Sequence, residues 1–128
     1  MNSLVFDSSA ILTLYYDEPG KKKVRSLLDK SEPLISTVNL CEIFTKLVQN
    51  GLRPDVIQES FDGLEVEVVE FDSNQALRAA ELRVATKHLG LSLGDRACLA
   101  LAIQKNAIAV TADRNWKDLD VCRIELIR

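Results

Sequence analysis

Short apolar stretches alternate along the chain with longer stretches whose apolar residues recur every three or four positions. The short stretches predict β-strands, and the longer spacing predicts amphipathic helices. The predicted strands are Leu4–Phe6, Leu34–Ser36, Val66–Phe71, Ile108–Thr111 and Cys122–Ile127. The predicted helices are Ser9–Tyr16, Gly20–Asp29, Val38–Gln49, Asp55–Leu64, Asn74–His88 and Gly94–Lys105, with a short helical turn over Asn115–Leu119.

This alternation of strands and helices predicts an α/β domain with a mostly parallel sheet and right-handed crossovers. The first, second and fourth strands are continuous apolar runs, as expected of parallel strands covered on both faces. The third and fifth, VEVVEF and CRIELI, partly alternate between apolar and polar residues, so we expect them nearer the edges of the sheet. No repeat or linker interrupts the pattern, which favours a single domain over residues 1–128.

Composition narrows the class of protein. A chain of 128 residues that is 47% hydrophobic and 27% charged suits one soluble domain with a substantial core. The start lacks the basic and apolar pattern of a signal peptide, and the longest apolar run, Ala97 to Ile103, is too short to span a bilayer. The cysteines Cys41, Cys98 and Cys122 form no CxxC pair and predict reduced core thiols, so we expect a cytoplasmic protein without membrane contact.

Four acidic residues occupy informative positions in this pattern. Asp7 directly follows the first predicted strand, and Asp113 follows the fourth. Glu42 lies in the second turn of the helix after the second strand, and Asp95 lies in the first turn of the helix Gly94–Lys105. Ligands of open parallel sheets bind outside the carboxyl ends of the strands. We therefore expect the four carboxylates to converge at that edge.

Each of these acids also has an ordinary structural explanation. Asp7 and Asp113 could cap the helices that follow them, and Asp95 stands at the third position of a capping-box pattern. Glu42 falls on the polar side of its helix, four residues before Lys46, where a surface ion pair is the default interpretation. Only the concentration of four acids at one end of the sheet favours a functional site over independent caps.

The chemistry of such a cluster is metal binding. Neighbouring carboxylates repel one another and raise each other's pKa, so the ionised cluster needs cations. Oxygen ligands without histidine or cysteine favour Mg²⁺ or Mn²⁺. A hard divalent metal that lowers the pKa of a water and stabilises phosphate charge is suited to phosphodiester hydrolysis.

Three segments that cover the chain end to end carry a resemblance: LVFDSSAILTLYYDEPG, ISTVNLCEIFTKL and LSLGDRACLALAIQKNAIAVTADRNW. They resemble PIN-domain ribonucleases, and within that family the VapC-type toxins of bacterial type II toxin–antitoxin pairs. The specific feature is the ordered set D…E…GD.A…T.D at these intervals. The resemblance implies a PIN-like three-layer α/β/α fold with about five strands, and a metal-dependent endoribonuclease that hydrolyses phosphodiesters of tRNA or ribosomal RNA.

The resemblance also implies roles for individual residues. The acidic cluster that binds Mg²⁺ or Mn²⁺ and activates water would be formed by Asp7, Glu42, Asp95 and Asp113, with Asp7 and Asp95 the strongest candidates for direct ligands. Ser8 and Thr111 would use their hydroxyls to hold carboxylates or a metal-bound water. The implied partners are a small antitoxin whose tail blocks the acidic groove, a second copy of the chain in a homodimer, and a larger complex of both.

The net charge of −3 argues weakly against binding a nucleic acid. Without the four cluster acids, however, 16 basic residues face 15 acidic ones, and bound metal would cancel most of the local negative charge. Arg96 and Arg114 each follow a cluster acid by one residue, so they are candidates for contacts with RNA phosphates or, equally, solvated surface charges. Trp116 could stack on a base or pack the last helix against the sheet.

Two other functions stay open at this point. The same fold could serve as a protein-binding module without catalysis, with the acids acting only as helix caps. A different phosphate-handling α/β enzyme would need a nucleophilic Asp with a partner motif such as D-x-D, and the sequence Asp7-Ser8-Ser9 lacks the second Asp.

Overall fold

The computed structural model describes residues 2–128, which form one five-stranded, all-parallel sheet with the order β3-β2-β1-β4-β5. The strands are β1 (Ser3–Phe6), β2 (Glu32–Ser36), β3 (Glu67–Val69), β4 (Ile108–Thr111) and β5 (Ile124–Leu126). In the central register, Val5 lies opposite Leu34 on one side and Ala109 on the other. The α/β class, the parallel sheet and the edge positions of the third and fifth strands are confirmed.

Within these described residues, six α-helices connect the strands: α1 (Ser8–Tyr15), α2 (Lys21–Asp29), α3 (Thr37–Gln49), α4 (Pro54–Asp62), α5 (Ser73–Ala85) and α6 (Leu93–Gln104). Short 3₁₀ turns follow at Lys87–Leu89 and Arg114–Trp116. The prediction of one continuous helix over Asn74–His88 is wrong at its C-terminal end, because α5 stops at Ala85. The Thr86 hydroxyl donates to the Leu82 carbonyl at 2.6 Å, and Gly90 ends the 3₁₀ turn with a left-handed φ of 60°.

The sheet is covered on both faces, which produces three layers. Leu4 and Phe6 of β1 pack on one side, against a cluster that also holds residues of α1 and α3. Val5 packs on the other side with α6 and with Trp116, which is fully buried, so the packing interpretation of Trp116 is confirmed. Every residue of α6 from Ala97 to Ala102 is buried, because this helix lies between the sheet and α5.

The cysteines divide between core and surface. Cys98 is buried in α6 as expected, and Cys122 is half-buried before β5. Cys41 is exposed on α3, so the prediction of a core thiol is wrong there. The apolar side of α3 is buried only in part, since Val48 on this helix is 52% exposed. In the described part of the chain, no helix has the length and apolar character needed to cross a membrane.

The parallel arrangement brings the carboxyl ends of all five strands to one edge. Asp7 follows β1 directly and caps α1. Ser36 ends β2, and its hydroxyl caps α3 by accepting from the Val38 amide at 3.2 Å. Thr111 ends β4. This carboxyl edge is where the candidate site lies.

Candidate functional site

Asp7 is the most enclosed acid of the carboxyl edge. Its side chain is 4% exposed. Oδ1 accepts hydrogen bonds from the Ala10 amide at 2.9 Å and the Ser9 hydroxyl at 2.7 Å, and Oδ2 accepts one from the Thr111 hydroxyl at 2.6 Å. Asp7 therefore caps α1, as the structural explanation predicted, and is also held by a residue of β4 that lies far away in sequence.

Burial raises the pKa of Asp7 to about 6. The hydrogen bonds from Thr111, Ser9 and the Ala10 amide lower this pKa, but by less than burial raises it, and the charge of Asp95 raises it further. A carboxylate in this position is costly to ionise without a cation nearby. This is the electrostatic property expected of a cation ligand.

Glu42 is exposed on α3, but its carboxylate is held by one residue of α1 and one of its own helix. Oε1 accepts hydrogen bonds from the Ser8 hydroxyl and from the side-chain amide of Asn39, the latter at 3.1 Å. The same Asn39 amide donates to the Gly94 carbonyl at 3.0 Å, which joins α3 to the start of α6. A Cβ built on Gly94 would overlap the Glu42 carboxylate, so this glycine makes room for it.

The predicted surface pair between Glu42 and Lys46 is not among the ion pairs of residues 2–128. Lys46 instead places its Nζ 5.8 Å from the centroid of the Tyr16 ring. Glu42 thus turns toward Ser8 at the sheet edge, although the helical spacing alone favours its neighbour one turn away.

Asp95 and Asp113 are bonded to their own helix starts. Asp95 forms a complete capping box with Ser92: its Oδ2 accepts from the Ser92 amide at 3.0 Å, and its own amide donates to the Ser92 hydroxyl at 3.1 Å. Asp113 caps the short turn after β4 by accepting from the Asn115 amide at 2.9 Å. The Asp113 amide also donates to the Thr111 hydroxyl at 3.0 Å, so its backbone is joined to the Asp7 network.

Several of these acids affect the pKa of the buried Cys98 thiol. Burial is the main reason that the pKa of Cys98 is raised well above its usual value. The charges of Asp7, Asp95 and Glu42 raise it further. These three acids therefore all lie near the Cys98 thiol.

The donor chemistry of the edge fits a hard divalent cation. Among residues 2–128, no three acidic, histidine or cysteine side chains are close enough together to hold a metal ion by themselves. Mg²⁺ nevertheless keeps several waters and is often bound by one or two carboxylates plus substrate phosphates. Asp7, with its raised pKa, and the neighbouring Asp95 and Glu42 supply oxygen donors of that kind.

Sequence reasoning missed three residues of this edge. Ser9 donates to Asp7 and accepts from the Ala112 amide at 3.0 Å, which joins α1 to the segment after β4. Asn39 and Gly94 hold and accommodate Glu42. One feature could have drawn attention to Asn39, since this polar residue stands three positions before Glu42, a spacing that puts both side chains on the same side of α3. Ser8 and Thr111 were predicted, and each contacts a carboxylate here, while their role toward metal stays a prediction.

The basic candidates differ in their surroundings. Arg96 is half-buried and donates to two backbone carbonyls, those of Leu91 at 3.3 Å and Ala79 at 3.0 Å. Arg114 is exposed and donates to the Arg128 carbonyl at 3.0 Å. Arg96 therefore ties α6 to α5, whereas Arg114 lies on the surface beside Asp113.

Comparison with known proteins gives a family match. The model of the PIN domain family matches residues 4–121. No curated protein sequence matches the chain at a significant level.

Solved structures of similar shape extend the comparison. A toxin–antitoxin complex from Klebsiella pneumoniae matches with a TM-score of 0.77 at 17% identity over 98% of both chains. VapBC2 from Rickettsia felis, bound to a DNA fragment from its promoter, matches at 0.76 and 18% identity over 97% of this chain and 98% of that one. DNA-bound VapBC from Salmonella typhimurium matches at 0.75 and 20% identity over 100% of both. At these identities, the similarity demonstrates a shared fold.

Proposed function

The chain belongs to the PIN-domain family, and from that premise we propose that it is a metal-dependent endoribonuclease, the VapC-type toxin of a type II toxin–antitoxin pair. The observation that carries the proposal is Asp7, a buried carboxylate whose pKa is raised to about 6 although three donors hold it. Burial only adds an ionisation cost to a carboxylate that caps a helix. For a carboxylate that binds a cation, the same burial favours binding.

The residues of the carboxyl edge would have different roles in catalysis. Asp7 would hold Mg²⁺ or Mn²⁺ directly, and Asp95, which keeps one oxygen on the Ser92 amide, would hold it more weakly, with Glu42 and Asp113 beside them. When bound, the ion lowers the pKa of a water and neutralises charge on the phosphodiester. Thr111 and Ser9 fix the orientation of Asp7. Glu42 is open to solvent, so its carboxylate is the group best placed to accept a proton from the attacking water.

Contacts with RNA would come from the basic residues at the rim. Arg114 is exposed next to Asp113 and is suited to meet a flanking phosphate. The nitrogens Nε and Nη1 of Arg96 already bond to backbone, so we assign this residue the smaller share of phosphate binding.

Partners follow from the same proposal. The similar structures include toxin–antitoxin complexes, two of them with DNA. We propose that this chain likewise pairs with a small antitoxin, forms a homodimer and joins both in a larger complex in the cytoplasm. The RNA it cleaves would be a tRNA or a ribosomal RNA.

The direct test is cleavage of total tRNA and ribosomal RNA by the purified protein with Mg²⁺ and with EDTA. We expect discrete products that need Mg²⁺, vanish in Asp7→Asn and persist in Asp72→Asn. Asp72 is the matched control, because it caps α5 by accepting from the Gln75 amide at 2.8 Å and lies outside the candidate site. Absence of any metal-dependent product, or equal products from Asp7→Asn, would overturn the proposal.

A protein-binding module without catalysis is the second candidate. The observation in its favour is that Asp95 and Asp113 each cap their own helix. A module of this kind would inhibit growth, or bind its partner, equally well as wild type and as Asp7→Asn. The nuclease loses growth inhibition in that variant and keeps partner binding.

A further inference from the structure

Asn39 is the buried amide at the meeting point of three helices. Its side chain is 1% exposed, in the first turn of α3. Its Nδ2 lies 3.1 Å from Glu42 Oε1, 3.0 Å from the Gly94 carbonyl and 3.3 Å from the Ser8 hydroxyl. One amide group therefore links α1, α3 and α6 at the carboxyl edge of the sheet.

The other atom of this amide, Oδ1, is buried and has no hydrogen-bond partner among residues 2–128. An unpaired buried acceptor costs free energy, so stability alone would favour a different arrangement. Turning the amide over would bring Oδ1 against the Glu42 carboxylate and the Gly94 carbonyl, which are both acceptors. The orientation of Asn39 is thus set by Glu42 and Gly94, at the expense of its own oxygen.

The backbone of Gly94 limits the space around the same carboxylate. A Cβ at this position would overlap both carboxylate oxygens of Glu42. Because Asn39 and Ser8 both donate to Oε1, the carboxylate is fixed in position and in rotation. Glu42 is exposed, and an exposed glutamate without such contacts would sample several rotamers.

We propose that Asn39 is a positioning residue: its amide, together with the bare backbone of Gly94, locks the Glu42 carboxylate in the orientation that metal and water require. The inference rests on the proposed nuclease function and adds to it a residue that acts through Glu42. Removing a group that orients a ligand typically reduces metal affinity or activity about 10- to 100-fold.

Gln75 provides a matched control. It is also 1% exposed, and its Oε1 is also buried without a partner in the described part of the chain. Its Nε2 donates to the Glu70 carbonyl at 3.1 Å and to Gln104 at 2.9 Å. Gln104 is the last residue of α6, whereas Gly94 lies in its first turn, so Gln75 is at the far end of that helix. Asn39→Ala and Gln75→Ala therefore remove similar amides, and only the first is near the site.

The experiment measures Mn²⁺ binding by calorimetry without RNA, and RNA cleavage in a Mg²⁺ titration. For Asn39→Ala we expect an Mn²⁺ dissociation constant or a maximal cleavage rate that is about 10- to 100-fold worse than wild type, with KM for RNA unchanged. Gln75→Ala should bind Mn²⁺ and cleave as wild type does while losing a similar amount of thermal stability. An Asn39→Ala protein that matches Gln75→Ala in both measurements would overturn the inference.

Gly94→Ala tests the same lock should Asn39→Ala fail to fold. Alanine is a better helix former than glycine, so the helix tolerates it, while its methyl group displaces the Glu42 carboxylate. We expect the same loss in metal binding and rate, and wild-type values in this variant would contradict the inference. If the wild-type protein neither binds Mn²⁺ nor cleaves RNA, the proposed function fails and this inference falls with it.

Discussion

Both ends of the sheet carry acidic side chains, but the two ends are built differently. At the amino end, Glu32 and Glu67 open β2 and β3, and Glu65 precedes β3; all three are exposed, and Glu32 accepts from the Ser3 hydroxyl at 3.4 Å. At the carboxyl end, Asp7 is buried and is held at three points. Charge alone therefore does not distinguish a site from a solvated surface, whereas buried donors directed at a carboxylate do.

At the carboxyl end, the four acids differ in which parts of the chain hold them. Asp7 and Glu42 are held by side chains from other segments of the chain. Asp95 and Asp113 accept hydrogen bonds from their own helix starts. If support from distant segments marks the functional acids, substitutions should cost most activity at Asp7 and Glu42.

The largest effect is expected for Asp7→Asn. Loss of a metal-ligating carboxylate should reduce the RNA cleavage rate at least about 100-fold, since the effect of a ligand exceeds that of its supporting residues. The counterpart at the amino end is the triple variant with Glu32, Glu65 and Glu67 all changed to Gln, which should cleave at the wild-type rate. A triple variant as impaired as Asp7→Asn would remove the distinction between the two ends.

The same substitution should raise stability, with a pH dependence that identifies the cause. Burial raises the pKa of Asp7 from 3.8 to about 6, so the folded state holds this proton more tightly than the unfolded state. The free energy of unfolding of the wild-type protein therefore decreases as pH rises from about 4 through about 6, because Asp7 loses its proton. The decrease is on the order of 2–3 kcal/mol, at about 1.36 kcal/mol per pKa unit. The Thr111 hydroxyl can turn to accept from the new amide.

Chemical denaturation of both proteins without metal, between pH 4 and pH 8, checks this prediction. Asp7→Asn should be the more stable protein above pH 6, and its advantage should shrink toward pH 4, where wild-type Asp7 is protonated. A constant difference across this range would show that Asp7 is not a strained buried charge.

Glu42→Gln should have the next largest effect. The substitution keeps the shape of the side chain but removes the charge that Ser8 and Asn39 orient, and we expect cleavage to fall about 10- to 100-fold. Thermal stability should change little, because Glu42 is exposed. Glu59→Gln, at an exposed position of α4, is the control, and an equal loss there would point to general surface charge rather than to the site.

The smallest effects separate capping from chemistry at α6. Ser92→Ala removes the cap of this helix and should lower stability by about 1 kcal/mol with little change in cleavage. Asp95→Asn can still accept from the Ser92 amide, so it should keep its stability and cleave about 10-fold more slowly. Thermal melts measure the stability of both variants, and initial rates measure their cleavage. An Asp95→Asn protein that loses stability but cleaves at the wild-type rate would show that Asp95 is only a cap.

The sequence was sufficient for the architecture. Apolar runs identified the five strands, and the partly polar character of VEVVEF and CRIELI placed the third and fifth strands at the edges of the sheet. The end of α5 was missed, because the break depends on a side-chain bond from Thr86 and on the left-handed backbone of Gly90. The exposure of Cys41 was not predicted either. Periodicity identifies the apolar side of a helix, but it does not show how much of that side the neighbouring elements cover.

The positions of two of the candidate acids in the fold were predictable, and the residues that support the acids were not. Position after a strand placed Asp7 and Asp113 at the carboxyl edge, as the parallel sheet requires. The contacts of Asn39 with Ser8 and Gly94 join residues separated by 31 and 55 positions, which no local pattern encodes. Helical spacing paired Glu42 with the residue one turn later because it ignores tertiary contacts, and here those contacts prevail.

We propose above that the carboxyl edge, and not the amino edge, holds a divalent cation. Paramagnetic broadening of backbone and side-chain amide signals during Mn²⁺ titration of the wild-type protein tests it most directly. The account predicts early, selective broadening at Asp7 to Ala10, at the start of α6 and at the Asn39 side chain, with Glu32, Glu65 and Glu67 unaffected. Broadening that begins at the amino-end glutamates, or that leaves the Asp7 segment untouched at millimolar Mn²⁺, would contradict it.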